Sequence, residues 1–222
     1  MGREYRRLVT ILGSVPVADQ ILIHDDFSGL LKWSKADGVG DAIFEIDPTI
    51  AYKGNQSLRM KTRTVGASEY DVISAERSIF MSRSKVLSFS IPFYLPSLTT
   101  QKRVQFSFQW TDDTDNHSCI LQYDPSVPEW NVNTASGVQT PIPGSDFDLY
   151  AATWHLMILK ANFAADNYIS LQVDHLLFDL STLPMYAFGS PTDIRLQCQL
   201  QILANGAAPT EIYFGEILVH EL

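Results

Sequence analysis

Apolar and polar residues alternate along most of the chain, which is the pattern of half-buried β-strands. The clearest run covers 194–202, where every even-numbered position is apolar and every odd-numbered position is polar. A second run covers 104–110, where valine, phenylalanine and tryptophan alternate with glutamine and serine. Shorter runs of this kind lie at 58–61, 87–91, 154–158, 168–174 and 212–219. The pattern predicts an all-β protein.

Glycine, proline, aspartate and asparagine separate these runs, and no stretch keeps a helical apolar period for more than two turns. Such spacing is typical of a β-sandwich and not of alternating strands and helices. With 222 residues, 45% of them hydrophobic, one large sandwich accounts for the chain. We therefore predict a single antiparallel β-sandwich, a jelly roll, over 21–222, preceded by an N-terminal arm over 1–20.

The predicted arm begins with basic residues and continues with an apolar stretch: Arg3, Arg6, Arg7, and Leu8 to Leu12. This order is similar to that of a signal peptide, but Pro16 and the preceding 13–14 interrupt the apolar run. We expect a docking arm in place of a secretion signal. No apolar run approaches the roughly 18 residues that a membrane-spanning helix needs.

Charged residues make up only 18% of the chain, and the net charge is −9. Binding to nucleic acid depends on clustered lysine and arginine that neutralise phosphates. The composition therefore disfavours a nucleic-acid partner, and also an anionic membrane surface. The two cysteines, Cys119 and Cys198, are expected to be buried thiols, with a disulfide between them left open.

Polar positions of the two clearest runs are rich in glutamine: Gln105, Gln109, Gln197, Gln199 and Gln201. Glutamine offers hydrogen-bond donors and acceptors without charge. A face built from these residues suits sugar hydroxyls or a protein partner equally, and an ordinary hydrated face is the third alternative. For sugar stacking we expect Trp130 and Tyr123 to be presented by the proline-containing loop 124–129. Trp33, Trp110 and Trp154 lie in apolar register and are predicted to be core residues.

The sequence offers no catalytic constellation. The Glu-x-Asp motif at 45–47 runs into a proline and lacks the third acid of the Glu-x-Asp-x-x-Glu pattern of jelly-roll glycoside hydrolases. No Gly-x-Ser-x-Gly motif occurs, and the five histidines are dispersed. We expect that the protein is not an enzyme. The acidic loop 112–116 favours either a solvated hairpin tip or half of a calcium loop.

Three segments resemble carbohydrate-binding modules and laminin-G-like, concanavalin-type jelly rolls. They are the opening 24–29 with Trp33, the Tyr-x-Gly-x-x-Ser-Leu stretch 52–58, and the closing strand 210–219. The segment 154–180 is similar to a hairpin of laminin-G-like domains. The resemblance implies that the first and last strands pair with each other.

The resemblance also implies a structural calcium ion, held near the first strand, the following turn and the last strand. The matching residues are Asp25, Asp26, Asn55 and Glu216, although Gly215 stands where the family's last-strand aspartate is expected. Calcium takes six to eight oxygen ligands, so the missing carboxylate leaves the site in doubt.

Two functions follow from these observations. The first is a structural component of a larger, oligomeric assembly, with a phage virion-surface protein of the decoration type as the leading interpretation. Its location would then be a virion or a cytoplasmic assembly. The alternative is a carbohydrate-binding, lectin-like module that recognises a glycan through its polar sheet face.

Overall fold

The computed structural model describes residues 21–38, 40–53, 56–64, 66, 68, 71–80, 86–112, 114–189, 194–205 and 208–222. The predicted arm over 1–20, with Arg3, Arg6, Arg7, Leu8 and Leu12, lies outside this range. The described part contains strands and no helix, and the strands form two packed antiparallel sheets. The prediction of an all-β antiparallel sandwich is confirmed.

Sheet A contains both ends of the described chain. Its strands are β1 (Ile21–Asp25), β3 (Ile43–Asp47), β4 (Ser57–Lys61), β6 (Val86–Tyr94), β11 (Trp154–Asn162), β12 (Asn167–Val173), β13 (Leu176–Asp179), β16 (Glu211–Phe214) and β17 (Ile217–Glu221). They follow the order β13-β12-β11-β6-β16-β4-β3, and β17 joins β6 to β1. The first described strand therefore pairs with the last, as the resemblance implied.

Sheet B packs against sheet A and has a continuous row of long central strands. Its strands are β2 (Ser34–Asp37), β5 (Val72–Ile79), β7 (Gln101–Thr111), β8 (Asp115–Asp124), β9 (Glu129–Ala135), β10 (Val138–Pro141), β14 (Tyr186–Gly189) and β15 (Arg195–Ala204). They follow the order β10-β9-β8-β7-β15-β5-β2, and β14 pairs with the first half of β8.

The core lies between the sheets and is rich in aromatic rings. Phe89 of β6 stacks on Phe108 of β7 with 3.7 Å between ring centroids, and Phe93 meets Phe106 edge-on at 5.5 Å. Each such ring stabilises the fold by roughly 1.5–3 kcal/mol through burial alone. Cys119 and Cys198 are free and buried on either side of Phe108, two strand spacings apart, which is too far for a disulfide.

Strand β11 differs from the prediction in its register. His155, Met157 and Leu159 face the core, whereas Trp154 lies half-buried on the outer face of sheet A. Its indole packs against the ring of Tyr94 at 5.7 Å. Trp33 and Trp110 are core residues, as predicted. No helix in the described part is long and apolar enough to cross a membrane.

Candidate functional site

The outer face of sheet B carries a patch of amide and hydroxyl side chains, interrupted by Ile120 of β8. The strand pairing places Gln197 opposite Gln109, Gln199 opposite Ser107, and Gln201 opposite Gln105. We call this patch the glutamine face; its residues are Gln105, Ser107, Gln109, Ser118, Gln122, Gln197, Gln199 and Gln201. All five glutamines singled out in the sequence lie together on it. The alternation of β7 and β15 fixes this arrangement, because the intervening residues fill the core.

A chain of side-chain hydrogen bonds holds one end of the glutamine face. Gln122 Nε2 donates to Gln105 Oε1 at 2.7 Å, and Gln105 Nε2 donates to Ser107 Oγ at 2.8 Å. Gln122 is only 5% exposed, and its Oε1 has no hydrogen-bond partner. If both amides are turned over, the chain runs the other way and leaves Gln122 Nε2 unpaired. One polar atom of Gln122 therefore lacks a partner in either orientation.

The opposite end of the glutamine face meets two aromatic rings of β14. Tyr186 lies opposite Ser118 and Phe188 opposite Asn116, so both rings are on the same side of the sheet as Gln109. The two rings stack with centroids 5.1 Å apart at 19°. Phe188 is 36% exposed, and Tyr186 is partly exposed. An aromatic pair beside amide groups is suited to stacking against the apolar face of a sugar ring.

Asn116 fixes the polar groups next to this aromatic pair. Its Oδ1 accepts from Gln109 Nε2 at 2.9 Å and from Thr111 Oγ1 at 2.8 Å. Sequence reasoning missed the aromatic pair, although the alternation Tyr186-Ala187-Phe188 was a signal for it. The pairing of β14 with β8 brings together residues about 70 positions apart, and the sequence alone does not specify that pairing.

Trp130 and Tyr123, the predicted stacking residues, are core residues, so that prediction is wrong. They are 0% and 1% exposed and face each other across β8 and β9, with ring centroids 5.1 Å apart. The reason lies in the alternation, because Tyr123 shares the inward side with Leu121, and Trp130 with Val132. The Tyr123 hydroxyl accepts a hydrogen bond from the Leu149 N–H at 3.1 Å.

A pocket of about 90 Å³ opens beside Gln122, at the end of the glutamine face away from the aromatic pair. Its lining residues are Lys102, Arg103, Gln122, Asp124, Asn131, Gln139 and Leu203. A β-bulge shapes it, because Leu203 pairs with Arg103 and Ala204 with Gln101, which leaves Lys102 as the extra residue. Burial lowers the pKa of the Arg103 guanidinium, and the charge of Asp124 opposes that shift.

The residues predicted to hold calcium have other partners. Asp25 is buried; its Oδ2 accepts from Arg77 Nη1 at 3.0 Å and its Oδ1 from the Phe27 N–H at 3.1 Å. Asp26 Oδ1 accepts from the backbone and the hydroxyl of Ser28. Asn55 lies outside the described residues.

Glu216 is paired with His24, with 2.7 Å between Oε1 and Nε2. This hydrogen bond raises the pKa of His24 and lowers that of Glu216, so the contact is an ion pair in mildly acidic solution. The described residues contain no group of three or more His, Cys, Asp or Glu side chains that could hold a metal ion. Together with the Arg77 cation on Asp25, these contacts do not fit a calcium ion at this place.

In the acidic loop the carboxylate of Asp112 accepts hydrogen bonds that hold the turn. Asp112 Oδ1 accepts hydrogen bonds from the N–H groups of Thr114 and Asp115, each at 2.7 Å. Burial alone would raise the pKa of Asp112, but these bonds outweigh it and bring the pKa to about 2. Asp113 lies outside the described residues. The geometry is that of a hairpin tip held by its own side chains.

Comparison with solved structures identifies proteins that share this fold. The carbohydrate esterase of Shiga toxin-encoding bacteriophage phi24B superposes with a TM-score of 0.57 at 15% identity, covering 92% of this chain and 99% of that one. The CBM2 module of the evolved Dit of Lactobacillus casei BL23 phage J-1 gives 0.53 at 12%, covering 91% and 95%. The Bacillus licheniformis β-glucanase gives 0.52 at 14%, covering 90% and 97%.

No protein-family model and no curated protein matches the sequence. At these levels of identity the likeness to the solved structures establishes the fold. The chain therefore has the jelly-roll β-sandwich fold of these structures.

Proposed function

We propose that this protein is a non-catalytic carbohydrate-binding protein that holds an extended glycan along the glutamine face. The observation that carries the proposal is the stacked Tyr186–Phe188 pair at one end of a row of uncharged amide and hydroxyl groups. From Asn116 to Asp124 the face follows nine residues of β8, or roughly 27 Å of strand. That length accommodates several sugar units in a row.

The chemistry of the glutamine face suits sugar hydroxyls. Each hydroxyl donates one hydrogen bond and accepts others, and each amide does both. The amides of Gln105, Gln109 and Gln122 are already held by neighbouring side chains, so binding immobilises few rotamers. By their names, three structures with the same fold are a carbohydrate esterase, a CBM2 module and a β-glucanase, which is consistent with this proposal.

We propose binding without catalysis, in keeping with the structural partners of two acid–base groups, Asp37 and His155. Asp37, at the β2 edge of sheet B, accepts from Ser74 Oγ at 2.6 Å. His155, on the opposite sheet, is buried with Nδ1 at 2.8 Å from Asp174 and Nε2 at 2.9 Å from the Tyr150 carbonyl. Incubation with the glycans that bind should release neither reducing sugar nor acetate; turnover of any of them would contradict this part.

A glycan array followed by calorimetry tests the binding proposal. Tyr186→Ala should weaken the best glycan by about tenfold or more, as expected for an aromatic anchor. Gln197→Ala should weaken it a few-fold, since a neutral hydrogen bond contributes about 1 kcal/mol. Tyr150→Ala is the matched control, because Tyr150 is 74% exposed outside the site. Wild-type protein that binds no glycan would overturn the proposal.

A second candidate function, membership in a larger assembly such as a virion, is favoured by the outer face of sheet A. There Trp154, Leu156 and Ile158 of β11 are partly exposed. Leu218 and the 71%-exposed Leu177 lie on the same face, in the row of Ile158, with Ser90 and Gln172 between them. Two structures with the same fold come from phages. An apolar face on one sheet and a polar face on the other allow both functions in one molecule. The arm over 1–20 would add to such an interface.

Sedimentation over a range of protein concentrations tests the assembly. We expect wild-type protein to self-associate through the outer face of sheet A and Leu177→Asp to sediment as a smaller species. Tyr150→Asp places the same charge at another exposed position and should behave as wild type. A wild-type monomer at every concentration would count against this second function.

A further inference from the structure

The outer face of sheet A carries a row of aromatic and charged side chains that crosses five strands. Its members lie directly opposite one another: Trp154 of β11, Tyr94 of β6, Tyr213 of β16, Arg59 of β4 and Glu45 of β3. We call this set the tryptophan row. Adjacent strands are about 4.8 Å apart, so the row is roughly 19 Å long. Its chemistry changes along this length from aromatic rings to an ion pair.

At the aromatic end, the half-buried indole of Trp154 packs against two tyrosine rings. Its centroid is 5.3 Å from that of Tyr52 and 5.7 Å from that of Tyr94, with interplanar angles of 53° and 51°. All three side chains are partly exposed. Neither tyrosine hydroxyl nor the indole N–H has a hydrogen-bond partner among the described residues. The cluster therefore offers apolar ring surface together with polar groups that are free to bind a ligand.

The backbone around Tyr52 is adapted to hold its ring on the sheet. The next residue, Lys53, has a left-handed conformation with a φ of 47°, which is uncommon for a residue other than glycine. Strained residues of this kind cluster at binding sites. Beside the ring, Gly215 leaves the space that Tyr52 needs, because a Cβ there would lie 2.5 Å from the Cβ of Tyr52. The aromatic cluster is therefore formed before any ligand arrives.

At the other end of the tryptophan row, Arg59 holds an exposed carboxylate in place. Its Nη1 donates to Glu45 Oε1 at 2.9 Å and its Nε to Glu211 Oε1 at 2.6 Å. Glu45 is 51% exposed, and its Oε2 has no partner among the described residues. A carboxylate only accepts hydrogen bonds, so it calls for a ligand that donates, as a hydroxyl does.

We propose that the tryptophan row is a second glycan-binding site. A sugar ring stacks on Trp154 beside Tyr52 and Tyr94, and a hydroxyl further along the glycan donates to Glu45. This site is on the outer face of the sheet that does not carry the glutamine face. The inference therefore goes beyond the proposed function and does not depend on it, and one molecule binds glycans on two opposite sides.

The polar groups of the tryptophan row favour a sugar over the apolar face of a second copy of the chain. The residues at which we expect self-association also lie away from Trp154. Leu177 and Leu218 are in the row of Ile158, four residues along β11, or roughly 13 Å of strand. Leu177→Asp should therefore leave glycan binding at Trp154 unchanged.

A glycan array probed with wild type, Trp154→Ala and Tyr186→Ala tests the inference. We expect a set of glycans whose affinity falls about tenfold or more in Trp154→Ala, as for an aromatic anchor, and stays unchanged in Tyr186→Ala. Tyr52→Ala gives a second reading if Trp154→Ala impairs folding, and Tyr150→Ala, at an exposed tyrosine, is the control. The same glycans should protect tryptophan fluorescence from acrylamide, because the other three tryptophans are core residues.

The two sites fail separately. If glycans depend on Tyr186 and none depends on Trp154, the second site is overturned and the proposed function stands. If glycans depend on Trp154 alone, the second site stands and the glutamine face is not a glycan site. Binding of no glycan overturns both. Acrylamide quenching that no glycan changes, but that rises in Leu177→Asp, would assign the tryptophan row to a contact between copies and overturn the inference.

Discussion

Gly215 stands where the family resemblance implied an aspartate that would bind calcium. A Cβ placed there would lie 2.5 Å from the Cβ of Tyr52 and 3.2 Å from that of Pro92. A side chain at this position therefore requires the backbone or Tyr52 to move. The space where an aspartate was expected is filled by the tyrosine ring, and Arg77 supplies the positive charge that Asp25 needs.

Gly215→Asp is expected to destabilise the fold by about 1–3 kcal/mol, the usual cost of forcing extra atoms into a packed site. Urea unfolding monitored by tryptophan fluorescence measures the loss. Gly29→Asp is the matched control, because no atom lies within 4 Å of a Cβ at that position. Calcium should leave the midpoint of the wild type and of both variants unchanged; a calcium-dependent rise would contradict our account of the site.

Asp112 predicts a loss of stability in acid. Its pKa of about 2 lies below the value of about 3.9 expected in the unfolded chain. The unfolded state therefore binds the proton first, so the carboxylate stabilises the fold above about pH 4 and loses that effect as the pH falls toward 2. The contribution is about 1 kcal/mol, because the side chain is 30% exposed.

Asp112→Asn should remove this dependence. The free energy of unfolding of the wild type, measured in urea between pH 5 and pH 2, should fall more steeply than that of the variant. The wild type and the variant carry the same other carboxylates, so the difference between their two curves is due to Asp112. Parallel curves would mean that the turn at Asp112 does not discriminate between the charged and neutral forms of the side chain.

At the scale of strands, the sequence predicts which side chains face the core only where one face of the strand is polar. In β7 and β15 every second residue is polar, so the register and the glutamine face were both predictable. In β11 both faces are apolar, and the alternation therefore allowed two registers. Trp130 and Tyr123 flank a proline-containing loop, which favours exposure, but the inward register of β8 and β9 places both side chains in the core.

Tyr168 connects the two sheets through its hydroxyl. We expect this hydroxyl to contribute more to the free energy of unfolding than an ordinary side-chain hydrogen bond does. From β12 of sheet A its hydroxyl accepts from the Ile120 N–H at 3.0 Å and donates to the Asn133 carbonyl at 3.0 Å, both in sheet B. Burial raises the pKa of Tyr168 well above its ordinary value, so the group stays neutral.

Tyr168→Phe should lower the free energy of unfolding by about 1–3 kcal/mol, because it leaves buried backbone groups without their partner. Thermal and urea unfolding measure the effect, and Tyr150→Phe, at an exposed tyrosine, should have almost none. Since the removed contact joins the two sheets, amide hydrogen exchange should also quicken in β8, β9 and β12 of the variant. Unchanged stability would show that water replaces the hydroxyl.

At the scale of the whole molecule the two outer faces differ in chemistry although the two sheets share one core. Sheet B presents amides and hydroxyls, and sheet A presents Trp154, Leu156 and Leu218. Length, composition and alternation were sufficient to predict the sandwich, because burial of one face per strand is a local property. The candidate site was only half predictable: its glutamines follow from alternation, while Tyr186 and Phe188 reach it through the pairing of β14 with β8.

If the two faces serve separate functions, a change on one should leave the other unaffected. Tyr186→Ala should weaken glycan binding by about tenfold or more and keep the sedimentation behaviour of the wild type. Leu177→Asp should keep the glycan affinity and sediment as a smaller species. Tyr186 lies on the outer face of sheet B and Leu177 on the outer face of sheet A, so the two effects should add in the double variant. Calorimetry and sedimentation on the same four proteins measure this. Glycan binding that disappears in Leu177→Asp would show that the glycan site is completed by a second copy of the chain.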